Sequence, residues 1–195
     1  MKKKVCVIGG GVQYEEMFKG EGWEVVSEPR KADLIQFTGG SDVSPELYHQ
    51  TLERNTHSCT NRDMVEVRHF LNALYEGTPM AGICRGGQFL NVMCGGSMIQ
   101  HVEGHATGKQ HSIYTGIPDL KSVVQVSSTH HQMMVAGFTG MVVAKGIGMS
   151  ALHDHTEVVF YHNQRVLCYQ PHPEFNGNEE NREFYFTLIE KYLEI

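Results

Sequence analysis

The chain has 195 residues, with 16 Lys and Arg against 22 Asp and Glu, a formal net charge of −6, and 41% hydrophobic against 19% charged residues. That balance excludes a disordered or fibrous chain, and the acidic excess argues against an electrostatic nucleic-acid binder. At this length a single domain over residues 1–195 is expected, burying roughly 70% of the unfolded chain's surface without need of a disulfide or structural metal.

Lys4-Val5-Cys6-Val7-Ile8 reads as a buried strand closed by Gly9-Gly10-Gly11. A short helix from about Gln13 to Gly20 follows, then strands over Trp23 to Ser27 and Asp33 to Phe37. Residues Ser41 to Thr60 are polar, contain Pro45, and read as a long functional loop. Asn61-Arg62-Asp63 opens a helix to about Glu76, with Val65, Phe70, Leu71 and Leu74 as its apolar stripe. Met80 to Ile83 is a short buried strand, and Arg85 to Met93 a helix ended by Gly95-Gly96. Beyond it, Val123 to Val126 and Met141 to Val143 are β-type runs, and Val158 to Tyr161 with Val166 to Tyr169 form a hairpin around Asn163-Gln164. An amphipathic helix over about Glu179 to Leu193 ends the chain. Alternating strands and helices with short loops predict an α/β fold with a mostly parallel central sheet. No stretch approaches the ~20 apolar residues of a membrane span. The run after Lys2-Lys3-Lys4 is too short for a signal-peptide core, so a cytoplasmic protein without a membrane partner is expected.

Five cysteines, Cys6, Cys59, Cys84, Cys94 and Cys168, form no C-x-x-C pair, and most read as small buried hydrophobes. Cys84 differs. Gly82-Ile83-Cys84-Arg85-Gly86-Gly87-Gln88 is a strand, a cysteine and a glycine-flanked helix start, the layout of a nucleophile elbow. A helix N-terminus favours a thiolate through its dipole and free N–H groups. A thiolate nucleophile requires a base and an orienting group, and Gln170-Pro171-His172-Pro173-Glu174 supplies both behind a strand. Backbone amides at Gly40, in Thr38-Gly39-Gly40-Ser41-Asp42, and at Arg85 are the candidate oxyanion hole.

These segments resemble, in order, the gamma-glutamyl hydrolase group (peptidase family C26) of the class I glutamine amidotransferase superfamily. Phe37 to Tyr48 is similar to its G-G-x-D-V-x-P-x-x-Y segment, and Arg62-Asp63 with Glu66 to its R-D-x-x-E helix opening. Gly82 to Val92 is similar to G-I-C-R-G-x-Q-x-L-N-V, Ser127 to Gln132 to N-S-x-H-H-Q, and His172 to Glu174 to H-P-E. The hydrolases of gamma-glutamyl-gamma-aminobutyrate are the nearest group. The resemblance implies a three-layer flavodoxin-like sandwich and a Cys84, His172, Glu174 triad cleaving a gamma-glutamyl amide through a thioester, without cofactor. It implies that Gln88, Ser128, His130 and His131 frame the glutamyl group. The substrate would be a small gamma-glutamyl amine. The alternative is glutamine, hydrolysed by a glutaminase subunit that passes ammonia to a separate synthase partner. A non-catalytic binding protein on the same fold is disfavoured by the intact Cys84, His172 and Glu174. Ser127 stands where the family has asparagine, and the chain is shorter than typical members, so the acceptor side of the pocket is expected to differ. Asp42, Glu46 and Glu53 in the first loop would favour an amine with positive or polar character.

Two other features carry less. Val7 to Gly11 looks like a dinucleotide loop, but Tyr14 occupies the third glycine position. His101 and His105 are four apart, yet Gly104 and Gly108 weaken a helix there and no H-E-x-x-H occurs. With His111, His153 and His155 they read as polar loop histidines near the mouth of the site, and no metal is expected.

Overall fold

A computed structural model describes residues 2–147 and 155–195. In chain order the strands are β1 (Lys4–Ile8), β2 (Glu24–Val25), β3 (Leu34–Phe37), β4 (Met80–Ile83), β5 (Ser97–Ile99), β6 (Ala106–Tyr114), β7 (Val123–Thr129), β8 (Met133–Val135), β9 (Met141–Gly146), β10 (Thr156–Tyr161) and β11 (Val166–Tyr169). The helices are α1 (Val12–Gly20), α2 (Thr60–Glu76), α3 (Arg85–Met93) and α4 (Glu179–Leu188). A π-helical turn at Ile189–Leu193 continues the last of them. Nine strands form one sheet in the order β2-β1-β3-β4-β11-β10-β9-β6-β7, and β5 pairs with β8 apart from it. From β2 to β11 every pairing is parallel, and from β11 outward the strands run antiparallel.

Side chains alternate across a strand, so each buried strand serves two cores. Val5, Ala81, Ile83, Leu167 and Tyr169 meet Met17 and Phe18 of α1 and Phe184, Tyr185 and Leu188 of α4. Cys6, Ile8, Met80, Val166 and Cys168 turn the other way, onto Phe70 and Ala73 of α2 and Phe89 and Leu90 of α3. Helices cover both faces, giving the three-layer α/β sandwich. Among the described residues no helix is long and apolar enough to cross a membrane.

Three elements depart from their local pattern. Strand β2 is only two residues long, because Trp23 is drawn under α1 against Phe18 at 5.4 Å between ring centroids. The polar β6 escapes an apolar-periodicity reading because Ile113 is its one buried residue. On α2 only Phe70 of the expected stripe is buried, while Val65, Leu71 and Leu74 are exposed. The buried face is Asp63, Glu66, Phe70 and Ala73, spaced three and four apart as one side of a helix requires. Its two carboxylates are tolerated there because each meets the buried Arg85 guanidinium.

Candidate active site

Strands β4 and β11 are parallel neighbours in a register that sets Ile83 beside Tyr169. Whatever follows each strand therefore emerges side by side at the sheet's carboxyl edge: Cys84 after one, Gln170-Pro171-His172 after the other. Cys84 has φ 52 and ψ −116, a left-handed conformation that costs a non-glycine residue strain. Its N–H donates to the Tyr169 carbonyl at 2.7 Å, which locks the turn to β11. The flanking glycines are required by space. A Cβ on Gly82 would stand 2.3 Å from the Gly86 carbonyl carbon, and one on Gly86 would stand 2.4 Å from the Phe37 carbonyl oxygen. Both contacts are with backbone, which cannot swing aside.

The imidazole of His172 bonds Glu174 Oε1 through Nδ1 at 2.6 Å, leaving Nε2 for the thiol. Burial works against its charge, but hydrogen bonds to Cys84 and Glu174 and their negative charges outweigh it, and its pKa rises to about 10. The His172 N–H donates to Ser127 Oγ at 2.7 Å, and the ring stacks on Phe175 with centroids 4.5 Å apart. The departure from asparagine at Ser127 thus leaves a side-chain acceptor that anchors the histidine backbone.

Gly39 lies against the pair. A Cβ there would come within 3.0 Å of His172 Cε1 and 3.6 Å of Cys84 Cβ. Its N–H is taken by the Tyr14 hydroxyl at 2.9 Å, whose own pKa is raised by burial and by the charge of Glu174. Tyr14 therefore braces the glycine turn next to Glu174. In the sequence it is visible only as the side chain that spoils a dinucleotide motif.

The open cleft beside Cys84 has a volume of about 230 Å³ and is bordered by Gly40, Asp42, Gln88, His130 and His131. Gln88 Nε2 donates to Gln170 Oε1 at 3.1 Å. Asp42 meets His131 Nε2 at 3.1 Å and accepts the His57 N–H at 2.7 Å. Ser128 is not brought to the cleft: it is buried, and its hydroxyl donates to the His105 carbonyl. Glu46 and Glu53 are exposed and do not border the cleft, so Asp42 is the carboxylate facing it among the described residues. The loop over residues 41–60 is pinned by Gln100, which takes the Glu53 N–H and the Thr56 hydroxyl on Oε1 and donates to Gln50 and Thr51 from Nε2.

Behind the elbow Arg85 pairs with Asp63 and Glu66, and burial together with nearby Arg62 pushes its guanidinium down to about 10. Arg62 binds Glu66 at 2.7 Å and donates to the Thr38 carbonyl at 2.9 Å, tying α2 to the Gly39-Gly40 turn. Asp63 also accepts the Ser44 N–H at 3.2 Å.

The histidines are not one loop group. His105 is fully buried and His155 nearly so, whereas His101 is exposed. His105 sits inside because the chain entering β6 carries it against β7 and β10, where other imidazoles and Glu157 replace water. His153 lies outside the described residues.

Peptidase C26 is the family that matches, over residues 29–174, more than half of the chain. The chain is 32% identical to the protein NtpR of Enterococcus hirae, over 56% of either chain. It is 31% identical to the glutamine amidotransferase-like protein YvdE of Lactococcus lactis, over 76% of this chain and 69% of that one. It spans little more than half the length of NtpR. A glutamine amidotransferase from Thermotoga maritima, 15% identical, superposes with a TM-score of 0.68 over 100% of this chain and 90% of its own, a likeness of fold. The elbow and the strand that faces it thus stand on a class I glutamine amidotransferase fold, and the chain belongs to the peptidase C26 family.

Proposed function

We propose that the protein hydrolyses a small gamma-glutamyl amide with Cys84 as nucleophile, His172 as acid and base, and Glu174 as the group that orients His172. The observation that carries this reading is the bonded set at one sheet edge: Cys84 held in a left-handed turn, His172 beside it, and Glu174 2.6 Å from the far ring nitrogen. The Cys84 sulfur attacks the gamma-carbonyl carbon, and negative charge grows on the carbonyl oxygen toward the amides of Gly40 and Arg85. Protonated His172 hands its Nε2 proton to the amine nitrogen as the C–N bond breaks, leaving a glutamyl thioester. Water, deprotonated by His172, then attacks the thioester carbon, and glutamate leaves as the thiolate reforms.

A cleft of about 230 Å³ is below the ~300–1,000 Å³ of pockets that take drug-sized ligands, which supports a substrate of few atoms. Gln88, His130 and His131 would meet the glutamyl end. The Asp42 carboxylate, facing the cleft, favours a substrate group that is cationic or donates hydrogen bonds. The test is glutamate release from gamma-glutamyl-gamma-aminobutyrate, several other gamma-glutamyl amines and glutamine, with Cys84→Ala as the blank. Release from at least one gamma-glutamyl amine in preference to glutamine is expected. Turnover of glutamine alone, raised only when a synthase is added, would replace this reading with that of a glutaminase subunit.

A further inference from the structure

Away from the thiol, imidazoles and one carboxylate converge where the ends of β6, β7 and β10 meet. His105 precedes β6, His111 lies on it, His130 follows β7, and Glu157 is on β10. His105 and Glu157 are fully buried, and His130 nearly so. His105 Nδ1, His130 Nε2 and Glu157 Oε1 form a triangle with sides of 3.2, 3.5 and 3.7 Å. Two ligand atoms on a tetrahedral zinc ion, with bonds of ~2.0–2.1 Å, stand about 3.3 Å apart. The three atoms therefore already have the spacing that ion needs.

Further contacts hold the same residues. His130 Nδ1 lies 2.9 Å from the Gln132 carbonyl, so that nitrogen carries the hydrogen and a neutral ring keeps its Nε2 lone pair for the triangle. His105 Nε2 is 2.9 Å from His155 Nδ1, and His111 Nε2 is 3.0 Å from Glu157 Oε1. Contacts of this kind fix the rings of metal-ligating histidines. A second observation points to a cation. Glu157 Oε2 is buried with no hydrogen-bond partner, although its carboxylate is the only negative group in this knot of imidazoles among the described residues. Leaving such an oxygen dry and unpaired is costly unless positive charge sits close by.

We infer that His105, His130 and Glu157 bind one zinc ion, with water in the fourth tetrahedral position and His111 and His155 as the outer partners that orient the ligands. Imidazole and carboxylate donors suit zinc. For Nδ1 of a neutral His105 to bind, the ring hydrogen sits on Nε2, facing His155 Nδ1, so taking up the ion shifts that hydrogen from one ring nitrogen to the other and releases no net proton. Because His130 borders the cleft, the ion would fix that wall and tie the antiparallel strands β6, β7 and β10 to one another.

The rival is a chain of hydrogen bonds from His155 through His105 to His130, with no metal. Cys84→Ala protein, in which the thiol can hold no ion, is stripped with a chelator, incubated with zinc or cobalt, desalted and analysed for bound metal. One zinc per chain is expected, with cobalt bands of tetrahedral intensity, no thiolate charge-transfer band, and a Tm that rises with free zinc. Adding Glu157→Gln or His105→Gln should weaken zinc by more than the about 10–100-fold that loss of an outer partner costs, and His155→Ala by about that much. His101→Ala should change nothing. If the ligand variants do not fold, the cobalt spectrum and the zinc-dependent Tm of the Cys84→Ala protein decide. Absence of retained metal, uptake seen only when Cys84 is present, or undiminished uptake by Glu157→Gln would each overturn the inference.

Discussion

Adding one methyl group at Gly39 tests whether the reactive pair is held by packing. Gly39 does not need a left-handed φ, so alanine introduces no backbone strain there. The new Cβ would stand 2.8 Å from the Tyr14 hydroxyl, 3.0 Å from His172 Cε1 and 3.6 Å from Cys84 Cβ. Ordinary carbon contacts begin at ~3.5 Å, so the imidazole must retreat by about 0.5 Å or the turn must move away from it. Catalytic groups tolerate about that displacement before geometry is lost, and 1 Å can cost ~10²-fold. Gly39→Ala should therefore lower kcat/KM by about 10–100-fold while overpacking costs only about 1–3 kcal/mol of stability. Glutamate release, measured well below the Tm of the variant, gives the first number, and urea denaturation gives the second. Alkylation of Cys84 at limiting reagent gives a readout that needs no substrate, and it should slow as the thiol–imidazole contact is displaced. If the variant released glutamate and alkylated at the parental rate, His172 would not be packed against Gly39 in the working enzyme, and the reasoning from its position would fail.

The remaining expectations concern the same residues. Brief alkylation should label Cys84 before Cys59, even though Cys59 is the exposed thiol; label on Cys59 first, by peptide mapping, would count against activation by His172. Because the His172 pKa is raised from 6.5 to about 10 on folding, its proton contributes stability fully below pH 6.5, and that contribution is lost as pH rises through about 10. Urea midpoints should fall over that window and fall less in His172→Gln; equal slopes would refute the pairing. Ser127→Ala removes the acceptor for the buried His172 N–H and should cost about 1–3 kcal/mol by denaturation, with a loss of turnover beyond the loss of folded protein. Asp63→Asn leaves a buried guanidinium short of a charge and should destabilise by about 3–5 kcal/mol; a near-neutral result would mean that Glu66 alone suffices for Arg85.

What can be read from the residues alone is whatever depends on local order. The strand before Cys84, the glycines around it and the rigid His172-Pro173-Glu174 turn each state their geometry within a few residues. The parallel pairing of β4 with β11 then brings the two segments together at one edge of the sheet. The hairpin at 158–169 is equally legible, since its turn separates two short apolar runs; the paired residues Tyr161 and Val166 close it. Contacts made at long range are not legible. Nothing near Tyr14 announces that its hydroxyl meets Gly39, 25 positions away, and nothing near His105 announces Glu157.

Buried charge hides the most. Asp63 and Glu66 occupy the inward face of α2, and apolar periodicity reads such positions as solvent-facing, which shifts the apparent stripe onto Val65, Leu71 and Leu74. Their resemblance to a family motif marks where they stand without saying what they do. In the folded chain they restrain Arg85, the residue after Cys84, whose side chain cannot turn toward the cleft because two carboxylates of α2 hold it beneath the turn. Arg62, on the same helical turn, reaches the carbonyl of Thr38 beneath the turn that carries Gly40. A single helix terminus thereby fixes both backbone segments from which an oxyanion would draw its donors. A net-neutral group of two guanidiniums and two carboxylates does this with little long-range field, so it holds the turn and the elbow in place without opposing the negative charge that the proposed reaction would gather between them.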